Sequence, residues 1–155
     1  MLKENKVYLT KDGLHDLKAE LKQLTEVERL SIAERIKTAR DMGDISENAD
    51  YEAAREKQAF VEGRIREIED ILGKVELIDE NRKSNLVGVG VTVKVHVDGG
   101  EEEFMIVGAP EANPIDKKIS HESPLGKALL GKKVGDHVDV EAPMGNLTYT
   151  VLSIK

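Results

Sequence analysis

The chain has 155 residues and no cysteine. That absence excludes disulfide scaffolds, thiolate zinc sites and cysteine nucleophiles together. Aromatic residues are scarce, at 3%, so any core must be aliphatic. Basic charge is in the minority: 23 Lys and Arg stand against 30 Asp and Glu, a formal net charge of -7. Proteins that coat nucleic acid without regard to sequence do so by neutralising phosphates with Lys and Arg. The balance here excludes that class and confines any nucleic-acid contact to a local patch. Long apolar runs are missing too, so no stretch is long enough to cross a bilayer. Met1-Leu2-Lys3-Glu4-Asn5-Lys6 carries no apolar signal region, and the cytoplasm is the expected location. His15, His96, His121 and His137 have no metal-ligand spacing, and Gly88-Val89-Gly90 precedes no helix and reads as a strand entry, not a nucleotide loop.

What the sequence does hold is charge, 34% of its residues, which points to a large exposed helical surface on one ordinary domain or two small ones. Thr10 is placed to cap a helix that starts in Lys11-Asp12-Gly13, after an apolar patch at Val7, Tyr8 and Leu9. Leu14, Leu17, Leu21 and Leu24 recur at steps of three and four, the seam of a coiled coil. The stripe drifts through Val27 and Leu30 and resumes at Ile32, Ile36 and Ala39, as a stutter makes it do. The helix is expected to run to about Met42, with Gly43 as its left-handed terminator and Ser46 as the N-cap of the next. In the second helix Tyr51, Ala54, Gln58, Val61, Ile65, Ile68 and Leu72 alternate by three and four, with Gln58 as a polar register mark and Gly73 as the stop. At 1.5 Å per residue, helices of roughly 28 to 32 residues give an antiparallel hairpin of roughly 40 to 45 Å with Asp44 and Glu47 at its tip.

Beyond Lys74 the period changes from helical to alternating. Val75, Leu77 and Ile78 begin a strand. Val91, Val93, Val95 and Val97 alternate with polar residues, Asp98-Gly99-Gly100 turns, and Phe104 to Val107 returns. Two further strands are expected from Val134 to Val140 and from Leu147 to Ile154, joined through Pro143-Met144-Gly145-Asn146. Ser123-Pro124 opens one short helix that ends at Gly131, with Ser123 as its cap. The expected fold class is therefore α+β: an N-terminal helical hairpin over residues 1–79, then a small antiparallel sheet with one short helix over 80–155. The polar connector Asp79-Glu80-Asn81-Arg82-Lys83-Ser84-Asn85 marks the boundary.

The run Ala39-Arg40-Asp41-Met42-Gly43-Asp44-Ile45-Ser46-Glu47-Asn48-Ala49-Asp50-Tyr51, then Ala53-Ala54-Arg55-Glu56 and Glu62-Gly63-Arg64-Ile65, resembles the GreA/GreB family of bacterial transcript cleavage factors. So does Ser120-His121-Glu122-Ser123-Pro124-Leu125-Gly126-Lys127-Ala128-Leu129-Leu130-Gly131 followed by Val134-Gly135-Asp136. The similarity runs from Leu9-Thr10-Lys11-Asp12-Gly13 to the last strand. Ile45 and Asp50 stand where the family commonly has leucine and glutamate, and Leu30 where a proline often follows Arg29.

The resemblance implies a coiled-coil hairpin and a C-terminal domain like the FKBP fold. It implies a monomeric accessory factor, not an enzyme in itself, that binds RNA polymerase and inserts the hairpin into the secondary channel. There it stimulates cleavage at the 3′ end of backtracked nascent RNA. It makes Asp44 and Glu47 the catalytic acids, completing the shell of a second Mg²⁺ whose other ligands come from the polymerase and the RNA. Arg40 and Arg55 are then candidates to hold the RNA or the polymerase, with Ser46 a cap that can also position water or RNA. Glu34, Glu52, Glu56 and Glu62 interrupt any basic hairpin face, which suggests short cleavage products. With so few aromatics, the C-terminal domain reads as a docking module that grips the polymerase rim. Without the resemblance, acids at a helix start read first as caps. A channel-occupying regulator that does not promote cleavage, or a generic coiled-coil adaptor, remain the alternatives.

Overall fold

The computed structural model describes residues 5–43, 48–79 and 85–155. Packing divides it into two compact units: one is made by the segment that ends at Gly13 together with Val75–Lys155, the other by Leu14–Lys74. The expected division at 79/80 and the packing division differ in where two short strands belong. Strands β1 (Val7–Leu9) and β2 (Val75–Leu77) pair in parallel, Val7 with Val75, Tyr8 with Glu76 and Leu9 with Leu77. The Ile78 N–H extends the ladder by donating to the Leu9 carbonyl at 2.8 Å. Parallel neighbours need a long crossover, and the whole helical segment is that crossover.

Helix α1 (Lys11–Gln23) starts where Thr10 Oγ1 accepts from the Gly13 N–H at 3.0 Å, the expected cap. It continues without a break through a π-helical turn, Leu24–Glu28, into α2 (Arg29–Asp41). The drift in the hydrophobic stripe has this wide turn as its physical form. The Thr25 hydroxyl donates to the Leu21 carbonyl at 2.9 Å, a back-bond of the kind that bends a helix, and the Arg29 N–H reaches back to Leu24. Val27 and Leu30 are left 50% and 61% exposed, and the buried seam resumes at Ile32, Ile36 and Ala39.

Helix α3 (Ala49–Lys74) runs through Gly73 to end one residue later, and buries Ala54, Val61, Ile65 and Ile68. Ion pairs cross between the helices, Glu20 with Arg64 at 2.7 Å and, nearer the turn on both helices, Glu28 with Lys57 at 3.5 Å and Arg29 with Glu62 at 2.8 Å, as an antiparallel pair requires. Gln58 is half-buried on the seam as expected, but it bonds to Arg55 of its own helix. Among the described residues, the marks of cross-helix register are the ion pairs.

The sheet has five strands in the order β5-β4-β3-β7-β6. Strands β3 (Thr92–Val97) and β4 (Gly100–Val107) form a hairpin around Asp98 and Gly99, whose φ of 50° and 75° are those of the primed turns that match strand twist. The sheet is not wholly antiparallel: β5 (Lys118–Ser120), a strand the sequence pattern did not reveal, pairs in parallel with β4. The chain reaches it through short 3-10 turns at Ala109–Glu111 and Pro114–Asp116. Helix α4 (Pro124–Leu129) is capped by Ser123, whose Oγ accepts from the Gly126 N–H at 3.0 Å.

Strands β6 (His137–Ala142) and β7 (Gly145–Ile154) close the sheet around Pro143-Met144. Strand β6 starts later than the sequence suggested because Asp136 folds back on Lys133, which leaves Val134 exposed. Val93, Val95, Ile106, Leu129 and Val151 meet in the core, with Phe104 and Tyr149 packed against it. The fold class is α+β, and no helix among the described residues is long and apolar enough to cross a membrane.

Candidate functional site

The sequence places its candidate acids between α2 and α3. Asp44, Ser46 and Glu47 lie outside the described residues, and what the structure defines is the pair of helix ends on either side. Helix α3 begins at Ala49, and its cap is Asn48, whose Oδ1 accepts from the Tyr51 N–H at 3.1 Å. The expectation that Ser46 caps this helix falls on a residue outside the described ones. Asn48 makes a second bond: its Nδ2 donates to the Ala39 carbonyl in the last turn of α2, at 2.5 Å. The carboxamide thus accepts from the start of one helix and donates to the end of the other with separate atoms. The two partners also fix which Asn48 atom is oxygen and which nitrogen.

Asn48 is therefore the residue that stitches the outgoing helix to the returning one. Sequence reasoning passed over it, although asparagine ranks with serine and aspartate as an N-cap and was the signal available. Ala39 O also accepts from the Met42 N–H at 3.3 Å, so a single carbonyl closes α2 and anchors α3.

Arg40 and Arg55 are both exposed beside these ends. The Arg40 guanidinium lies 6.0 Å from the centroid of the Tyr51 ring, a cation–π contact across the two helices. Arg55 Nη1 donates to Gln58 Oε1 at 2.9 Å. Among the described residues neither has a carboxylate partner, unlike Lys57, which pairs with Glu28. Ordinary charge pairing within the described chain does not account for them. An open cleft of about 330 Å³ lies alongside, lined by Glu34, Arg35, Thr38, Ala39, Met42 and Asp50.

Farther down the helical pair, Arg64 forks onto both oxygens of Glu20, at 2.7 and 3.0 Å, and also reaches Glu67 at 3.0 Å. Its hydrogen bonds hold the Glu20 carboxyl below its ordinary range against the opposing effect of burial. Arg29 does the same to Glu62, which accounts for one of the acids that interrupt the hairpin face. Among the described residues, no group of three or more His, Asp or Glu side chains could hold a metal ion. The two helix ends are tied to each other by Asn48, and beside them Arg40 and Arg55 have no carboxylate partner among the described residues.

The comparisons with known proteins cover the same ground from end to end. Residues 7–77 match the family described as transcription elongation factor, N-terminal, and residues 82–155 match transcription elongation factor, GreA/GreB, C-term. The transcription elongation factor GreA of Chloroflexus aurantiacus is 50% identical over 98% of this chain and 99% of its own length. That of Clostridium acetobutylicum is 48% identical over 100% of both. Among solved structures, the GreA factor homolog 1 of Thermus thermophilus is 31% identical, covers 97% of this chain and 99% of its own, and superposes with a TM-score of 0.46. With one family spanning both halves and relatives near half identity over their full lengths, the chain belongs to the GreA/GreB family of transcription elongation factors.

Proposed function

We propose that this chain stimulates transcript cleavage by RNA polymerase: its helical pair enters the secondary channel and presents Asp44 and Glu47 to the 3′ end of backtracked RNA, rescuing arrested complexes. The observation that carries the reading is the Asn48 stitch beside the acids, in a chain that matches a transcription elongation factor family over both halves. The stitch ties together the helix ends that flank Asp44 and Glu47 in sequence, and position is what a carboxylate delivered into another molecule's site requires.

Asp44 and Glu47 are hard oxygen donors of the type Mg²⁺ takes, and two of them leave most of an octahedral shell to be filled by polymerase, RNA and water. When bound there, the ion activates water and neutralises charge developing at the phosphodiester. The chain's own part is to bring the two carboxylates together, with Ser46 positioning water or RNA between them. Arg40 and Arg55, free of carboxylate partners among the described residues, contribute charge-assisted bonds to RNA phosphates. The sheet-bearing unit docks on the channel rim, and the factor works as a monomer in the cytoplasm.

The test uses a stalled polymerase complex carrying RNA labelled at its 3′ end. The expected result on adding the protein with Mg²⁺ is release of short labelled fragments. Slower synthesis without fragments would instead make the chain a channel-occupying regulator, and no effect at all would leave an adaptor.

A further inference from the structure

Helix α1 opens on Thr10 with Gly13 three residues on, the position where a capping box places glutamate or glutamine. In such a box the cap oxygen accepts the N–H three residues ahead, and the side chain at that position reaches back to the N–H of the cap. Half of the box is local here: Thr10 Oγ1 accepts from the Gly13 N–H at 3.0 Å. Glycine has no side chain for the other half.

Glu111 supplies it. From 101 residues along the chain, its Oε2 accepts from the Thr10 N–H at 2.7 Å and its Oε1 from the Thr10 hydroxyl at 2.5 Å. A Cβ at position 13 would collide with this carboxylate, so glycine is what leaves it room. Thr10 is buried, at 5% exposure, which shelters both bonds from competing water. The 3-10 turn that carries Glu111 is seated against β1. Gly108, whose carbonyl accepts from the Glu111 N–H at 3.0 Å, lies so close to the Tyr8 carbonyl that any side chain there would collide with it. The Tyr8 ring also meets His121 edge-on, 5.6 Å between centroids. Thr10, Gly13 and Glu111 all belong to the sheet-bearing unit.

We propose that Glu111 is a conformational latch: it completes a capping box split between two distant segments, so that the first turn of α1 is stable only while the turn at Ala109–Glu111 is in place. A glutamate at position 13 would make the helix start self-sufficient, and glycine, a poor helix former, removes that independence. Loss of the Ala109–Glu111 turn therefore frees Thr10, and the first turn of α1 frays with it.

The test is native-state amide exchange on the full-length chain, read at Thr10 and Gly13, with Val95 in the central strand β3 as the reference for the unit as a whole. Glu111→Ala should quicken exchange at Thr10 and Gly13 about tenfold or more and at Val95 less than about twofold. Gly13→Ala should act in the same direction although alanine is the better helix former, because its methyl evicts the carboxylate. Adding Gly13→Glu to Glu111→Ala rebuilds the box locally and should return Thr10 to within about threefold of the unsubstituted chain. Unchanged exchange in Glu111→Ala, or slower exchange in Gly13→Ala, overturns the latch. So does equal quickening at Thr10 and Val95, which would make Glu111 a general support of the sheet, or a double variant no better protected than Glu111→Ala.

Discussion

The helical unit and the sheet-bearing unit bury their aliphatic side chains in different ways. In the sheet-bearing unit, Val93, Val95, Ile106, Leu129 and Val151 come from several strands and a helix and enclose one another. In the helical unit, Ile32, Ile36, Ala54, Val61 and Ile65 form a file between two helices, and alanine fills one of the positions. Two helices cannot surround a core, so each buried side chain there has the partner helix on one side and solvent close by on the flanks. The ion pairs of Arg64 and Arg29 line those flanks. The candidate chemistry thus sits on the more thinly packed unit, where reach is obtained with little interior.

If chemistry and packing are separable in this way, the largest effect on cleavage should come from the two proposed acids. Asp44→Asn or Glu47→Gln should lower stimulated cleavage about 100-fold or more at limiting Mg²⁺, since a lost ligand forfeits several kcal/mol at about 1.4 kcal/mol per tenfold. Polymerase affinity, measured by competition, should stay within a few fold. Normal cleavage by either variant would remove that residue from the site.

Next in size is the contrast between the cores themselves. Leu129 is fully buried among several elements, so Leu129→Ala should cost about 3–4 kcal/mol. Ile36, at 9% exposure on the file between helices, can be compensated by the helices closing up, and Ile36→Ala should cost about 2 kcal/mol. Urea unfolding followed by probes in each unit checks both. Equal costs would mean the helical file is packed as tightly as the sheet core.

A smaller effect is the pH dependence of the helical unit. Arg64 holds the Glu20 carboxyl below its usual value of 4.5, so the folded state binds that proton less readily than the unfolded chain. The stabilisation is fully present above pH 4.5 and is lost as pH falls through the lowered folded value. Arg64→Ala should flatten this acid limb of the helical unit's stability. A double-mutant cycle with Glu20→Ala should give coupling of about 1 kcal/mol or less, shrinking with salt.

Much of this architecture was legible because its signals are local. The three-four seam, the Thr10 and Ser123 caps and the alternating valines of β3 are written within a few residues of where they act. What escaped depends on partners distant in sequence. Strand β5 is three residues long and owes its existence to β4; β1 joins β2 only after the whole helical segment has gone out and back. Asn48 is a good cap by type, and its tie to the Ala39 carbonyl of the other helix had no local signal. Glu111 gave no sign of its tie to Thr10 for the same reason. Asp44 and Glu47, outside the described residues, are singled out only through the motif that surrounds them, since acids near a helix start otherwise read as caps.

The smallest expected effect probes the place where a local signal pointed the wrong way. Val27 and Leu30 continue the apolar rhythm of the first helix, and by rhythm alone each would be a seam residue whose replacement by a polar group costs several kcal/mol. The π-helical turn at Leu24–Glu28 inserts an extra residue into that rhythm and rotates both onto the flank. Val27→Gln and Leu30→Gln should therefore each change stability by no more than about 0.5 kcal/mol, as surface substitutions do. Ile32→Gln, two residues beyond Leu30 and 2% exposed, serves as the control that must be costly. If Leu30→Gln proved as damaging as Ile32→Gln, the helix would have to run as a regular α-helix in solution. The thin file of the helical unit would then gain a layer that the π turn denies it.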